Sequence, residues 1–279
     1  MARDQFGVDG RATALTSERD QNFLIAGRDG TRIVLKIANA TEERVFIEAQ
    51  QRAITHLAQR LDITPRVLST VHGRSLVETE GANGARHLVW AISWLAGTPL
   101  GDLAAGRRSH ELLEDIGRQV SALQRELVDF DHPALHRELH WDLAMARGIV
   151  DAKRSLIGDP ALGETIDRLM HEIDRHTLPR LANVRRGIIH NDLNDHNLLI
   201  GAADLAARTP AVTGILDFGD MVHSYRVAEL AIAIAYAILD RDDPLDVAAW
   251  IVRGYCERGL LDDDALGALF GLVLLRLCV

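Results

Sequence analysis

Hydrophobic and polar positions follow one rhythm before Leu95 and another after it. Up to Trp94 the apolar residues fall in short runs broken by turn residues. Phe23–Ala26 and Arg32–Ile37 flank Gly27-Arg28-Asp29-Gly30, which predicts a β-hairpin. One helix is predicted from Thr41 to Arg60, with Thr41 as N-cap and Val45, Ala49, Ile54 and Leu57 on one stripe. Pro65 closes it, and Arg66–Val71, Ser75–Thr79 and Arg86–Trp94 read as three further strands, with turns at His72-Gly73 and Gly81–Gly84.

After Gly97-Thr98-Pro99 the spacing becomes helical. Helices are predicted over Ser109–Asp129, Leu135–Ala152, Leu162–Asn183, Val227–Leu239, Leu245–Arg258 and Asp262–Val279. Between the third and fourth lies a strand-rich insert, Gly187–Ile200 and Val212–Asp217, with its turn near Gly201–Pro210. Strands followed by helices predict an α+β chain of two parts, 1–94 and 95–279. The stretch Ala265–Val279 is apolar except for Arg276 and is too short to span a bilayer, which takes about 20 residues. An apolar run lacking a polar close predicts a buried terminus or a chain cut from a longer polypeptide, and the cut is the favoured expectation.

Composition narrows the function. Hydrophobic residues are 47% and charged residues 25% of 279, as in a globular domain. The net charge of −9 falls almost entirely after Trp94 and argues against a general nucleic-acid binder. It suits solvated acidic helix faces, or a lobe that attracts a cationic substrate. Two cysteines and no signal-peptide pattern point to the cytoplasm. Of 31 basic residues only Lys36 and Lys153 are lysines, which singles out Lys36, because a compact ammonium and a planar guanidinium are not equivalent beside a phosphate.

Two clusters carry candidate chemistry. The first, Ile188-Ile189-His190-Asn191-Asp192-Leu193-Asn194-Asp195-His196-Asn197, sets polar residues between apolar runs, with Asp192 and Asn197 five apart. In kinase catalytic loops an Asp at this spacing takes a hydroxyl proton and the Asn holds Mg²⁺. The second, Ile215-Leu216-Asp217-Phe218-Gly219-Asp220, ends an apolar strand in a carboxylate suited to Mg²⁺. Singly each is weak: a strand-end Asp is usually a turn residue, and a strand lysine usually snorkels. Together they stand in kinase order.

With Val34-Leu35-Lys36, these segments resemble the aminoglycoside phosphotransferase family, whose fold is protein-kinase-like. Ser17–Phe23 and Trp94–Leu100 are most similar to its hydroxylysine-kinase branch. The resemblance spans residue 5 to the end and implies a bilobal fold and a small-molecule kinase using ATP or GTP with Mg²⁺. It implies Asp192 as base, Asn197 and Asp217 as metal ligands, and Lys36 on the phosphates, held by Glu48 or, second, Glu43. It further implies Ser17–Asn22 as a phosphate-covering loop, with Ser17 and Asn22 as donors. Ala91–Leu95, with Ser93 and Trp94, becomes a hinge contacting the purine. Asp195, Asp220, Asp142 and Glu229 are candidates for an acceptor ammonium.

The implied acceptor is 5-hydroxylysine or a related amino alcohol, ahead of homoserine, choline or ethanolamine, and an aminoglycoside. Related domains also precede an aminotransferase-like module in longer chains. Two departures stand out: Ser17–Phe23 has no glycine, and Asn191 replaces a usual glycine. A nucleotide-binding pseudokinase is the rival reading, opposed by an intact Lys36, Asp192, Asn197 and Asp217. A protein kinase is opposed by the missing Ala-Pro-Glu element, and a metallohydrolase by the lack of a helical histidine pair with a third ligand.

Overall fold

The computed structural model describes residues 1–82, 84–104, 108–202, 209–258 and 261–279. Two compact units are present, Met1–Ala96 and Gly97–Val279.

The first unit opens with α1 (Ala2–Phe6). Strands β1 (Gly10–Leu15), β2 (Gln21–Gly27) and β3 (Arg32–Ile37) lead to α2 (Arg44–Leu57), then β4 (Val67–Leu68), β5 (Val77–Glu80) and β6 (Arg86–Ser93). The strands form one antiparallel sheet in the order β1-β2-β3-β6-β4, with β5 also on β6. Ile25, Ile33, Leu35, Val89 and Ala91 form a buried cluster, flanked by Phe6, Val8 and Phe23. The expected hairpin is β2–β3. The helix begins later than expected, because the Asn39 side chain accepts from both the Thr41 N–H (3.0 Å) and its hydroxyl (2.6 Å). That local turn removes Thr41 from the N-cap, and Glu43 takes the position. Strand β4 is only two residues long, against the six expected.

The second unit begins with β7 (Thr98–Pro99), α3 (His110–Glu126), α4 (Leu143–Lys153), α5 (Pro160–His176) and α6 (Leu178–Leu181). Strands β8 (Arg186–Ile189), β9 (Leu198–Ala202), β10 (Pro210–Ile215) and β11 (Val222–Tyr225) follow, then α7 (Arg226–Ala237), α8 (Pro244–Cys256) and α9 (Asp263–Leu277). The expected helix over Leu135–Ala152 is wrong at its start. A 3₁₀ turn covers Pro133–Leu135, and α4 starts only at Leu143, where Asp142 caps it by accepting from the Ala144 N–H (2.9 Å). The segment expected as Leu162–Asn183 divides into α5 and α6 at Thr177. Most of the expected turn near Gly201–Pro210 falls on 203–208, outside the described residues.

Helices α3 and α8 cross at two glycines. A Cβ on Gly117 would meet the Ile251 carbonyl oxygen at 1.9 Å, and one on Gly254 the Glu114 carbonyl oxygen at 1.9 Å. Helix α7 is buried along nearly its whole length, and α9 buries Ala268, Leu269, Leu272 and Leu275. Among the described residues no helix is long and apolar enough to cross a membrane.

Candidate active site

In the second unit, β8 delivers the chain into a segment whose polar groups brace one another. His190 is fully buried, and burial pushes its imidazole down to about 4, so it is neutral. One tautomer satisfies both of its bonds: Nε2–H donates to the Leu216 carbonyl (2.9 Å) while Nδ1 accepts from the Asp192 N–H (3.3 Å). Phe218 packs edge-on against its ring, with centroids 4.7 Å apart. The His190 N–H (2.5 Å) and the Asn191 N–H (3.2 Å) both donate to the carboxyl of Glu229 on α7. Burial pushes that carboxyl up to about 8, opposed by the two N–H bonds. Asn191 is left-handed at φ 68° and fully buried.

These constraints set Asp192. Its Oδ1 accepts from the Asn194 amide (3.0 Å) and its Oδ2 from the Asn197 amide (2.7 Å), which also donates to the Asp192 carbonyl (2.9 Å). The Asn194 side-chain oxygen in turn accepts from the N–H groups of His196 (2.8 Å) and Asn197 (3.0 Å). Burial and then the charge of Asp220 push the Asp192 carboxyl up to about 7, while the Asn194 bond and Arg276 pull it down. It keeps 22% of its side chain exposed, so it is held in place yet reachable.

The register of β9 and β10 brings the other two expected residues to the same end of a hairpin. Leu198 pairs with Ile215, and beyond them the Leu216 N–H donates to the Asn197 carbonyl (2.9 Å). Asp217 comes next, exposed and left-handed at φ 56°, with its carboxylate accepting from the Gly219 N–H (3.3 Å). A left-handed non-glycine residue costs about 1 kcal/mol or more, and such costs gather at functional segments. Arg137 donates to the carbonyls of Gly219 (2.7 Å) and Met221 (3.1 Å), fixing the segment after Asp217.

Two proposed ammonium contacts are corrected. Glu229 is fully buried and its oxygens are engaged with the backbone of 190 and 191. Asp142 is buried as the cap of α4, and accepts a short hydrogen bond from the buried Ser224 hydroxyl. Neither can reach a solute. Asp195 and Asp220 are partly exposed. The Asp195 carbonyl accepts from the Gly101 N–H (2.9 Å).

In the first unit, Lys36 is buried on the central strand β3, across from Asn22 of β2 and Trp90 of β6. Its ammonium lies 5.3 Å from the centre of the Trp90 ring. Asn22 is a strand residue and not part of the loop, and its side-chain oxygen is buried without a hydrogen-bond partner. Ser17 is exposed in the β1–β2 connection. Glu48 is partly exposed on α2, 3.6 Å from Arg44, and Glu43 is exposed. The Ser93 hydroxyl accepts from the Arg66 N–H (2.9 Å). The main-chain N–H groups of Ser93 and Trp94 are engaged with the carbonyls of Arg66 and Arg32. Those two N–H donors therefore belong to the sheet.

Sequence reasoning missed Asn194, Arg137, Arg276 and the true place of Glu229. Asn194 had a local signal, since an amide two residues after an Asp readily closes on it. Arg276 had one too, as the single charge in an apolar run. The contacts of Arg137 and Glu229 span 82 and 39 residues, and only the fold reveals them.

Known proteins resemble this chain in sequence and in fold. The chain is 32% identical over 273 residues to hydroxylysine kinase of Danio rerio, covering 95% of this chain and 75% of the relative. Among solved structures, an amicoumacin kinase in complex with AMP-PNP, Ca²⁺ and its antibiotic superposes with a TM-score of 0.73 at 14% identity, covering 99% of this chain and 81% of that one. A microcompartment-associated aminopropanol kinase gives 0.72 at 20% identity, over 96% and 83%. The fold is thus kinase-like, with an antiparallel N-terminal sheet and a helical C-terminal region. A model of the phosphotransferase enzyme family matches residues 11–268. The chain therefore belongs to the phosphotransferase enzyme family, and is a small-molecule kinase that phosphorylates a hydroxyl group.

Proposed function

We propose that the enzyme transfers the γ-phosphoryl group of ATP or GTP to the hydroxyl of an amine-bearing metabolite of the 5-hydroxylysine type, with Mg²⁺, in the cytoplasm. The observation that carries the reading is Asp192, a half-buried carboxylate fixed by Asn194 and Asn197 yet still open to solvent. The similarity to hydroxylysine kinases supports the acceptor class.

The donor set fits a divalent cation. Asn197 turns its amide nitrogen to Asp192, which leaves an amide oxygen as a hard donor, and Asp217 supplies an exposed carboxylate at the same hairpin end. Among the described residues no group of three or more His, Cys, Asp or Glu forms a cage by itself. Two oxygen donors completed by phosphates and water is how proteins usually hold Mg²⁺. When bound, the metal neutralises phosphate charge and aligns the transferred group.

The chain's own groups supply the rest. Asp192 orients the acceptor hydroxyl through one carboxylate oxygen and takes its proton. Asn194, Asn197 and the His190 bond to the Asp192 N–H keep that oxygen in place, so the contribution is alignment as much as basicity. Lys36, desolvated against Trp90, places a compact positive charge on the donor phosphates. Asp195 and Asp220 are the carboxylates accessible to an acceptor ammonium.

A nucleotide-consumption screen tests the reading, with ATP and GTP compared across 5-hydroxylysine, homoserine, ethanolamine, choline and kanamycin. Mg²⁺-dependent consumption that 5-hydroxylysine stimulates most is expected. Consumption stimulated by none of the panel would overturn the acceptor class.

A further inference from the structure

The one charged residue in the apolar run that ends the chain is buried beside the proposed base. Helix α9 carries Arg276 inward, with 7% of its side chain exposed. Its Nη1 donates to the Trp141 carbonyl (3.2 Å), and its Nη2 donates to the Tyr236 hydroxyl (3.2 Å). The guanidinium carbon lies 5.4 Å from the centre of the Tyr236 ring. These neighbours are neutral. Among the described residues the anion within reach is Asp192, whose Oδ1 stands 3.7 Å from Nη2. A buried guanidinium needs a counter-charge, and here that charge is the carboxylate on which phosphoryl transfer depends. The family match stops at residue 268, so it assigns nothing to this position.

We propose that Arg276 is a positioning residue for Asp192, reaching from the last helix to hold the carboxylate in its reactive orientation. This rests on Asp192 being the base. The distance suits the role. At 3.7 Å the arginine attracts Asp192 without a hydrogen bond, so it does not occupy the lone pair that must receive the acceptor proton. A direct bidentate pair would compete with the acceptor hydroxyl for the same oxygens. Arg276 is itself locked by Trp141 and Tyr236, so its charge stays at a fixed place. The acidic character of the chain after Trp94 makes a cation valuable at this point, since Asp220 repels Asp192 from within the same unit and Arg276 opposes it.

A double-mutant cycle tests this. Turnover is measured with Mg-ATP and 5-hydroxylysine for the parent, Arg276→Gln, Arg276→Lys, Asp192→Asn and the pair Asp192→Asn with Arg276→Gln. Acceptor-free ATP hydrolysis is followed in the same proteins, so that a wrong acceptor does not hide the result. Arg276→Gln should lower kcat tenfold or more, with KM for nucleotide and acceptor changed less than twofold. Arg276→Lys should fall between it and the parent. In the Asp192→Asn background the Arg276→Gln change should cost less than twofold, because the carboxylate it served is gone.

Equal losses in both backgrounds would overturn the proposal. So would an unchanged kcat with a raised acceptor KM, which would make Arg276 an acceptor contact. If Arg276→Gln melts below the assay temperature, Arg276→Lys decides: a lowered kcat at constant KM supports the role, and parental kcat refutes it. Parental activity in Asp192→Asn would instead sink the base assignment on which the proposal stands.

Discussion

The segment 190–197 and the β1–β2 connection at 16–20 are opposites. In the first, His190, Asn191, Asp192, Asn194 and Asn197 are tied to one another, to Leu216 just after β10 and to Glu229 on α7. Ser17 and its neighbours are exposed, and one tie outward from the connection is Asp20, which accepts from the Asn39 N–H (3.0 Å). The comparison teaches where this chain concentrates positional precision. Proton transfer depends on sub-ångström alignment. A loop laid over phosphates can act through its backbone and accommodate its ligand.

If that contrast is right, substitutions should grade steeply between the two regions. The largest effect belongs to Asp192→Asn, which preserves shape and removes the proton acceptor. Turnover should drop by ~10² or more while the melting temperature and nucleotide affinity stay near the parent values. Lys36→Arg comes next. On a central strand, packed over Trp90, the ammonium has little room for a planar fork. Nucleotide affinity or turnover should fall about tenfold, equivalent to ~1.4 kcal/mol. An unchanged Lys36→Arg enzyme would show the lysine to be ordinary sheet packing.

Glu229→Gln sharpens the account of the bracing. The Glu229 carboxyl is raised in the folded protein from its ordinary 4.5 to about 8. Between those values the native state holds a proton that the unfolded chain releases, so this group's contribution to stability is present below about 4.5 and lost as pH rises toward 8. Parent melting temperature should therefore fall more steeply than that of Glu229→Gln between about pH 5 and 8.5. Parallel profiles would mean that the carboxyl is ionised throughout, held by its two N–H bonds. The smallest effect is expected for Ser17→Ala, less than threefold on nucleotide KM, since the side chain is exposed and the backbone remains. A tenfold rise there would break the comparison.

Much of this was legible in the sequence, for a physical reason. Asn197 and Asp217 flank one end of the β9–β10 hairpin and Asp192 is bonded to Asn197 five residues on, so their order along the chain already encodes their neighbourhood. The start of α2 was misread because the Asn39 side chain outcompetes Thr41 for the cap, a contest between two short polar residues that spacing does not resolve. The beginning of α4 was misread because Leu135 belongs to a 3₁₀ turn, 136–141 run through bends and turns, and Asp142 caps the helix only from Leu143. Glu229 and Asp142 looked like surface acids near the chemistry. Burial makes them structural, and burial depends on contacts 38 to 82 residues away. Arg276 could be flagged but not placed, since its partners lie on the loop before α4, on α7 and in the segment 190–197.

The most direct measurement follows the transferred phosphorus by ³¹P NMR, with ATP, Mg²⁺ and 5-hydroxylysine, in the parent and in Asp217→Ala. The account predicts a phosphomonoester on the acceptor hydroxyl in the parent, formed only with Mg²⁺, and at least ~10²-fold less of it in Asp217→Ala. Inorganic phosphate as the sole product of the parent, or an ester that Asp217→Ala makes equally well, would contradict it.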